Sequence, residues 1–262
     1  KGNFGKMDEV LAELSPETGC TNTGEMCYDK TNRPVNGQKD RRILSMKSAE
    51  SFFNWAFRTR ANSVLKLYNG EMVSPEKMFL SFCSHDPAFV SNGPAGLNAS
   101  IKGIGFLPKD EYLEETLAAY IEHIKTYDKD DKEYSKRGLA LLVKYMYGEE
   151  AQKRVDFTKV GSLEMAKKHS YTNYKVNPEA TLIFYQPPAI SYELRGKMEI
   201  YDECESGKRE IYQQFINAQH DVYHAPDMTR WLTRPAYIFR IEEVYDNCVT
   251  PEGFGNKMQY PY

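Results

Sequence analysis

From Ile190 to Ile200 the chain alternates in character. Ile190, Tyr192, Leu194, Met198 and Ile200 fall on one side, and Ser191, Glu193, Arg195, Lys197 and Glu199 on the other. A period of two sends successive side chains to opposite faces, so this stretch is a half-buried β-strand. Gly196 interrupts the apolar side, which predicts a bulge or a close backbone approach there. The β-rich run Thr181–Tyr185 follows Asn177-Pro178 and is separated from the alternating strand by Pro187-Pro188. Together the two runs predict an antiparallel hairpin. A helix over Lys208–Tyr223 comes next, with Ile211, Phe215, Ala218 and Val222 on one stripe. Alternation then returns at Ala236–Val244, so the carboxy half reads strand–strand–helix–strand.

The amino half has a different texture. A short helix is expected around Met7–Leu14, and residues 15–44, rich in Gly, Pro, Thr, Asn and charge, read as a surface excursion. Phe52, Phe53, Trp55, Ala56, Val64, Leu65 and Tyr68 suit a helix over Ser48–Tyr68. Ser74-Pro75-Glu76 is a helix start: a hydroxyl cap, a proline at the first helical position, and an acid at the positive end. Residues 86–109 hold four glycines and three prolines and read as loop. The clearest helix is Asp110–Tyr127, with Leu113, Leu117, Tyr120, Ile121 and Ile124 on one half of the wheel. Asp128–Glu133 reads as a solvated linker. Gly138–Val155 is open between a helix and a hairpin.

Composition bounds the function classes. With 262 residues, 41% of them apolar and 13% aromatic, the chain can bury a real core and is not wholly disordered. A formal charge of −3 suggests no nucleic-acid partner. The longest apolar runs, Leu139–Val143 and Leu182–Tyr185, are too short for a membrane span. The five cysteines show no zinc or redox spacing, and Cys20 and Cys27 share a loop in which a disulfide is open. The first residue is Lys, which leaves export open beside a cytoplasmic location, and an Asn98-Ala-Ser sequon matters only in the exported case.

A resemblance enters between residues 155 and 245. Val155-Asp-Phe-Thr158-Lys-Val-Gly-Ser162, Lys167-Lys168, Asn173, Asn177-Pro178-Glu-Ala-Thr-Leu-Ile-Phe184 and Tyr192-Glu-Leu-Arg-Gly196-Lys-Met-Glu-Ile200 resemble the middle of the FMN-binding split-barrel family, that of pyridoxamine-5′-phosphate oxidase. Arg234-Pro235-Ala-Tyr237-Ile-Phe-Arg-Ile241 is similar to its last barrel strand. The resemblance implies an α+β fold: an antiparallel split β-barrel in residues 136–262 beside a mainly helical region, 1–135. It also implies a homodimer binding FMN and acting as an oxidoreductase on a small conjugated or aromatic substrate. A flavin phosphate needs hydroxyls and cations at a turn or helix start. Thr158, Ser162, Lys167 and Lys168, with Asn173 nearby, are the matching residues, while Trp231 and Arg234 suit the wall of an aromatic ligand site. A Gly-x-Pro turn before the first strand is missing, as are the carboxy-terminal Trp-Gln-Gly and Arg-Leu-His motifs, which disfavours pyridoxamine-phosphate oxidase activity itself.

His220 and His224 stand four residues apart, a spacing that points two imidazoles the same way. They lie opposite the apolar stripe of their helix and read first as solvent-facing or helix-terminal, with a metal or haem contact as the other reading. A haem-handling relative of the barrel and a non-catalytic α+β binding protein are therefore the alternatives to a flavoprotein.

Overall fold

The structure, a computed structural model, describes residues 47–202 and 208–261, the side chains of residues 208–210 excepted. The helix expected at Met7–Leu14 and the Cys20/Cys27 pair lie outside the described residues. The described chain opens with α1 (Glu50–Tyr68) and α2 (Pro75–Cys83), then three short strands, β1 (Ala88–Ser91), β2 (Asn98–Ile101) and β3 (Gly105–Pro108). Helices α3 (Asp110–Ile124) and α4 (Tyr134–Leu142) follow, and α4 runs into a π-helical turn, Val143–Tyr147. The remainder is β4 (Val155–Leu163), α5 (His169–Tyr174), β5 (Glu179–Gln186), β6 (Ile190–Tyr201), α6 (Lys208–Asp221), β7 (Ala236–Asp246) and β8 (Asn256–Lys257). The class is α+β, and every strand pair is antiparallel.

All eight strands belong to one sheet, ordered β2-β1-β5-β6-β7-β4-β3, with β8 on the end of β7. That order has a geometric consequence. β2 and β3 are the two ends of the path, yet only Lys102–Ile104 separate them in the chain. Laid flat at the usual strand spacing, the ends would stand roughly 29 Å apart. The step from Ile101 to Gly105 reaches about 14 Å at full stretch. The sheet therefore curls until its ends face each other, and no ladder joins β2 to β3 among the described residues. The result is a barrel with an open seam, the split form expected for the carboxy half.

Residues 86–109, expected to be loop, contain β1, β2 and β3. Each strand is four residues long, with a Gly or Pro at its end or within two residues of it, too short for alternation to register. Their partners are distant in sequence: Ala88–Ser91 pairs with Ala180–Ile183, and Gly105–Pro108 with residues of β4. For the same reason the expected division into 1–135 and 136–262 is corrected. A cut there would separate β1 and β3 from their ladders, and Ser45–Tyr262 form one compact unit.

The carboxy half otherwise follows its pattern. Tyr192, Leu194 and Met198 of β6 are buried, and the register shifts between Arg195 and Gly196. A Cβ at Gly196 would stand 1.9 Å from the Arg240 carbonyl oxygen, so the glycine permits the close pairing of β6 with β7. Helix α1 lays its aromatic face across the curled sheet. Phe52 meets Phe184 of β5 and Tyr192 of β6, while Phe57 meets Phe106 of β3 and Phe157 of β4. Burying each such ring contributes about 2–3 kcal/mol. The Ser74 hydroxyl caps α2 by accepting from the Lys77 N–H at 3.4 Å, as its sequence predicts. The open stretch after Gly138 resolves as helix: α4 packs against the end of α6 at Gly138.

Candidate functional site

A cavity of about 450 Å³ opens beside the seam. Its walls are the connector Ile101–Gly105, the end of β4 and the residues just after it, from Gly161 to Ala166, and α6 with the turn after it, through Ile216, Gln219, His220 and Tyr223. Arg60, His85, Leu142 and Tyr147 close the inner side. Two glycines let α6 approach the strands. A Cβ at Gly161 would lie 2.1 Å from Ile216 Cδ1, and one at Gly105 would lie 2.0 Å from Gln219 Oε1. The Gln219 amide donates to the Phe106 carbonyl at 2.8 Å, which fixes the helix to β3.

The polar groups around the cavity are arranged by their partners. Ser162 donates its hydroxyl to the Gly103 carbonyl at 2.7 Å and ties β4 to the connector. Glu164 is buried and accepts from Lys102 Nζ at 2.8 Å, the Tyr237 hydroxyl at 2.8 Å, and the N–H groups of Ala166 and Lys167 at 2.7 and 2.8 Å. Burial pushes its carboxyl up, but the Lys102 ammonium and these hydrogen bonds outweigh burial and hold it below the ordinary range. Arg60 donates from Nη2 to the Tyr223 hydroxyl oxygen at 3.1 Å. Beside it, burial and then the Arg60 charge push the His85 imidazole down to about 3, so His85 is neutral. The cavity thus carries two cations, Arg60 and Lys102, against one anion, Glu164.

Behind α6 lies a second polar cluster. The buried Asp221 accepts from Trp231 Nε1 at 2.8 Å and from the Asp227 N–H at 3.2 Å. Its other oxygen lies 2.7 Å from His220 Nδ1 and 3.6 Å from Arg234 Nη1. The His220 ring stands 4.9 Å from that of His224, which sits past the end of the helix. No group of three or more His, Cys, Asp or Glu that could hold a metal occurs among the described residues.

The site residues expected from the sequence are not drawn into one place. Ser162 and His220 line the cavity. Thr158 is exposed, and its hydroxyl donates to Asp156 Oδ1 at 2.6 Å. Lys167 and Lys168 are exposed and do not line the cavity. Asn173 is fully buried as a clamp: its amide donates to Ser91 Oγ at 3.1 Å and the Gly96 carbonyl at 2.7 Å, and its oxygen accepts from the Ala95 N–H at 2.8 Å. Trp231 and Arg234 are buried against Asp221 and do not line the cavity. Conversely, Arg60, His85, Lys102, Tyr147, Glu164 and Tyr223 are brought together from scattered elements, and no local spacing marks them.

No protein-family model and no curated protein matches the sequence. Solved structures do show similarity. HupZ of Group A Streptococcus is 10% identical, with 72% of this chain and 100% of that chain covered and a TM-score of 0.38. A Clostridium acetobutylicum protein of the pyridoxinephosphate oxidase family, related to general stress protein 26 of B. subtilis, is 15% identical over 64% of this chain and 83% of that one, at a TM-score of 0.33. A pyridoxamine 5′-phosphate oxidase-related FMN-binding protein from Nostoc punctiforme is 7% identical over 66% of this chain and 84% of that one, at 0.30. No helix among the described residues is long and apolar enough to cross a membrane.

Proposed function

We propose that this chain binds FMN in the seam cavity and serves as an oxidoreductase on a small conjugated or aromatic substrate. The observation that carries the reading is the cavity itself. At about 450 Å³ it lies within the range of small-molecule sites, and it joins apolar walls at Ile104, Leu142 and Ile216 to a surplus of positive charge. FMN is flat at one end and anionic at the other, and this lining suits both. Lys102 supplies a cation for the phosphate, and the Ser162 hydroxyl, whose proton goes to the Gly103 carbonyl, would donate to it by releasing that bond. Of the expected phosphate set, Ser162 lies on the cavity lining, and Thr158, Lys167, Lys168 and Asn173 lie off it. A bound flavin would supply the hydride chemistry. The protein's share is to hold the ligand, exclude water with the α6 wall, and keep His85 neutral beside it.

A homodimer belongs to the same reading. Ile101 and Met165 are exposed apolar residues that also line the cavity, and a second copy seated on them would enclose it. Light scattering reads this directly.

One observation favours a second reading, haem. His220 lines the cavity with Nδ1 against the Asp221 carboxylate, the arrangement that orients a ligating imidazole and leaves Nε2 available. Cofactor released by denaturation and identified by mass separates the two, together with the visible spectrum after reconstitution. Flavin uptake retained in His220→Ala supports the first reading, and haem uptake abolished by that change supports the second. Uptake of neither compound refutes both.

A further inference from the structure

We infer that the inner end of the seam cavity, at Arg60, is an anion subsite that takes the carboxylate or phosphate group of a small, otherwise apolar molecule. The inference rests on reading the cavity as a ligand site and is independent of which cofactor that site holds. Arg60 projects from α1 to the cavity wall. Its guanidinium offers five N–H donors and accepts nothing. Among the described residues its hydrogen-bond partners are two neutral hydroxyls, those of Tyr223, at 3.1 Å, and Tyr147, and its Nε is buried with no partner. No carboxylate lies within ion-pair distance of it there. The Asp86 carboxyl, pushed up by burial and pulled down by the Arg60 charge, lies beyond ion-pair distance of Arg60, and its 3.8 Å contact is with the neutral His85. Glu164, the acid on the cavity wall, is already engaged by Lys102, Tyr237 and two backbone N–H groups.

What surrounds Arg60 adds to the surplus of donors. Because a guanidinium can only donate, the Tyr223 oxygen is the acceptor in their bond, and its own hydrogen is left to point elsewhere. The Tyr147 hydroxyl oxygen likewise accepts from the same guanidinium, which leaves its hydrogen free to point elsewhere. A shielded cation with hydroxyl donors and no anion is costly, and an incoming anion offsets that cost. Guanidinium groups grip carboxylates and phosphates through paired N–H···O bonds, which chloride cannot form. Leu142 and Ile216 on the adjoining walls suit an apolar body behind the charged group.

The test is thermal unfolding of the full chain at fixed ionic strength, replacing chloride stepwise with sodium benzoate or with sodium phosphate. We expect at least one anion to raise the midpoint saturably. A benzoate response identifies the carboxylate source, and a phosphate response the phosphate source. Arg60→Met should abolish the response, and Tyr223→Phe should weaken apparent affinity roughly tenfold, as expected for one charge-assisted hydrogen bond. Absence of a saturable effect over chloride with either anion, or an unchanged effect in Arg60→Met, overturns the subsite. If Arg60→Met does not fold, unchanged affinity in Tyr223→Phe overturns it. A protein that binds no flavin yet gives this response keeps the subsite and loses the flavin reading, and the opposite pair of results does the reverse.

Discussion

Gly138 sits in the middle of α4, where helix propensity and packing make opposite demands. Replacing an interior helical glycine with alanine ordinarily stabilises by about 1 kcal/mol, because the unfolded chain loses freedom and the helix gains a good former. Here an added Cβ would stand 1.8 Å from the Val222 carbonyl oxygen and 2.7 Å from its carbon. Ordinary contact begins near 3.4 Å, so the helix must retreat by roughly 1.6 Å. The obstacle is backbone, which cannot swing aside. Retreat would stretch the hydrogen bond from the Tyr134 hydroxyl to the Asp221 carbonyl, 2.9 Å long, at a cost of about 1 kcal/mol. It would also loosen the packing of Leu139 and Leu142, adding about 1–3 kcal/mol. Packing wins, and Gly138→Ala should be destabilising by about 1–3 kcal/mol net. Urea unfolding at unchanged slope measures it. A variant as stable as the parent, or more so, would refute the close docking of α4 on the end of α6.

Two further outcomes follow from single side chains. His85 has a folded pKa of about 3 against an unfolded value near 6.5, so below pH 6.5 the unfolded chain takes up a proton that the folded chain refuses. Its contribution is fully present above pH 6.5 and is lost as pH falls, on the order of 1 kcal/mol per unit; His85→Gln should flatten stability between pH 6.5 and 5, and an unaltered slope there contradicts the assignment. Asn173→Ala removes three hydrogen bonds, one to Ser91 of β1 and two to Ala95 and Gly96 of the loop after it, and should cost about 2–4 kcal/mol while speeding amide exchange over residues 92–97. It should leave ligand uptake intact, and a selective loss of uptake at unchanged stability would return Asn173 to the binding site.

The strongly periodic parts of this chain declare themselves. The alternation of β6, its glycine interruption, the proline-capped start of α2 and the single buried face of α3 are local patterns, visible wherever fewer than a dozen residues set the outcome. The strands β1, β2 and β3 are not of that kind. Ala88–Ser91 is a strand because Ala180–Ile183 lies beside it, and nothing within the segment announces that partner. The site was obscure for a related reason. Ser162 could be picked out because a hydroxyl before a basic stretch is a recognisable pattern, but the lysines that made the pattern point outward. Arg60 sits on a helix whose apolar spacing describes its core face, and its meeting with Tyr223, His85 and Tyr147 comes from tertiary packing alone. Asn173, Trp231 and Arg234 show the converse: polar and aromatic residues suited to a ligand are used to fasten a loop and to surround Asp221.

The seam between β2 and β3 gives this sheet an unusual freedom. A conventional barrel admits a guest only through its rims, or by unzipping a pair of strands. Here the wall is already unbuttoned along one line, fastened by the short tether Lys102–Ile104, and that tether borders the chamber. Widening the slit breaks no ladder between β2 and β3 among the described residues, and strains only the tether's own backbone bonds, from the Ile104 N–H to the His85 carbonyl at 2.8 Å and from the Lys102 N–H to the Pro87 carbonyl at 3.3 Å. Traffic through the side of the barrel is therefore compatible with a rigid sheet everywhere else.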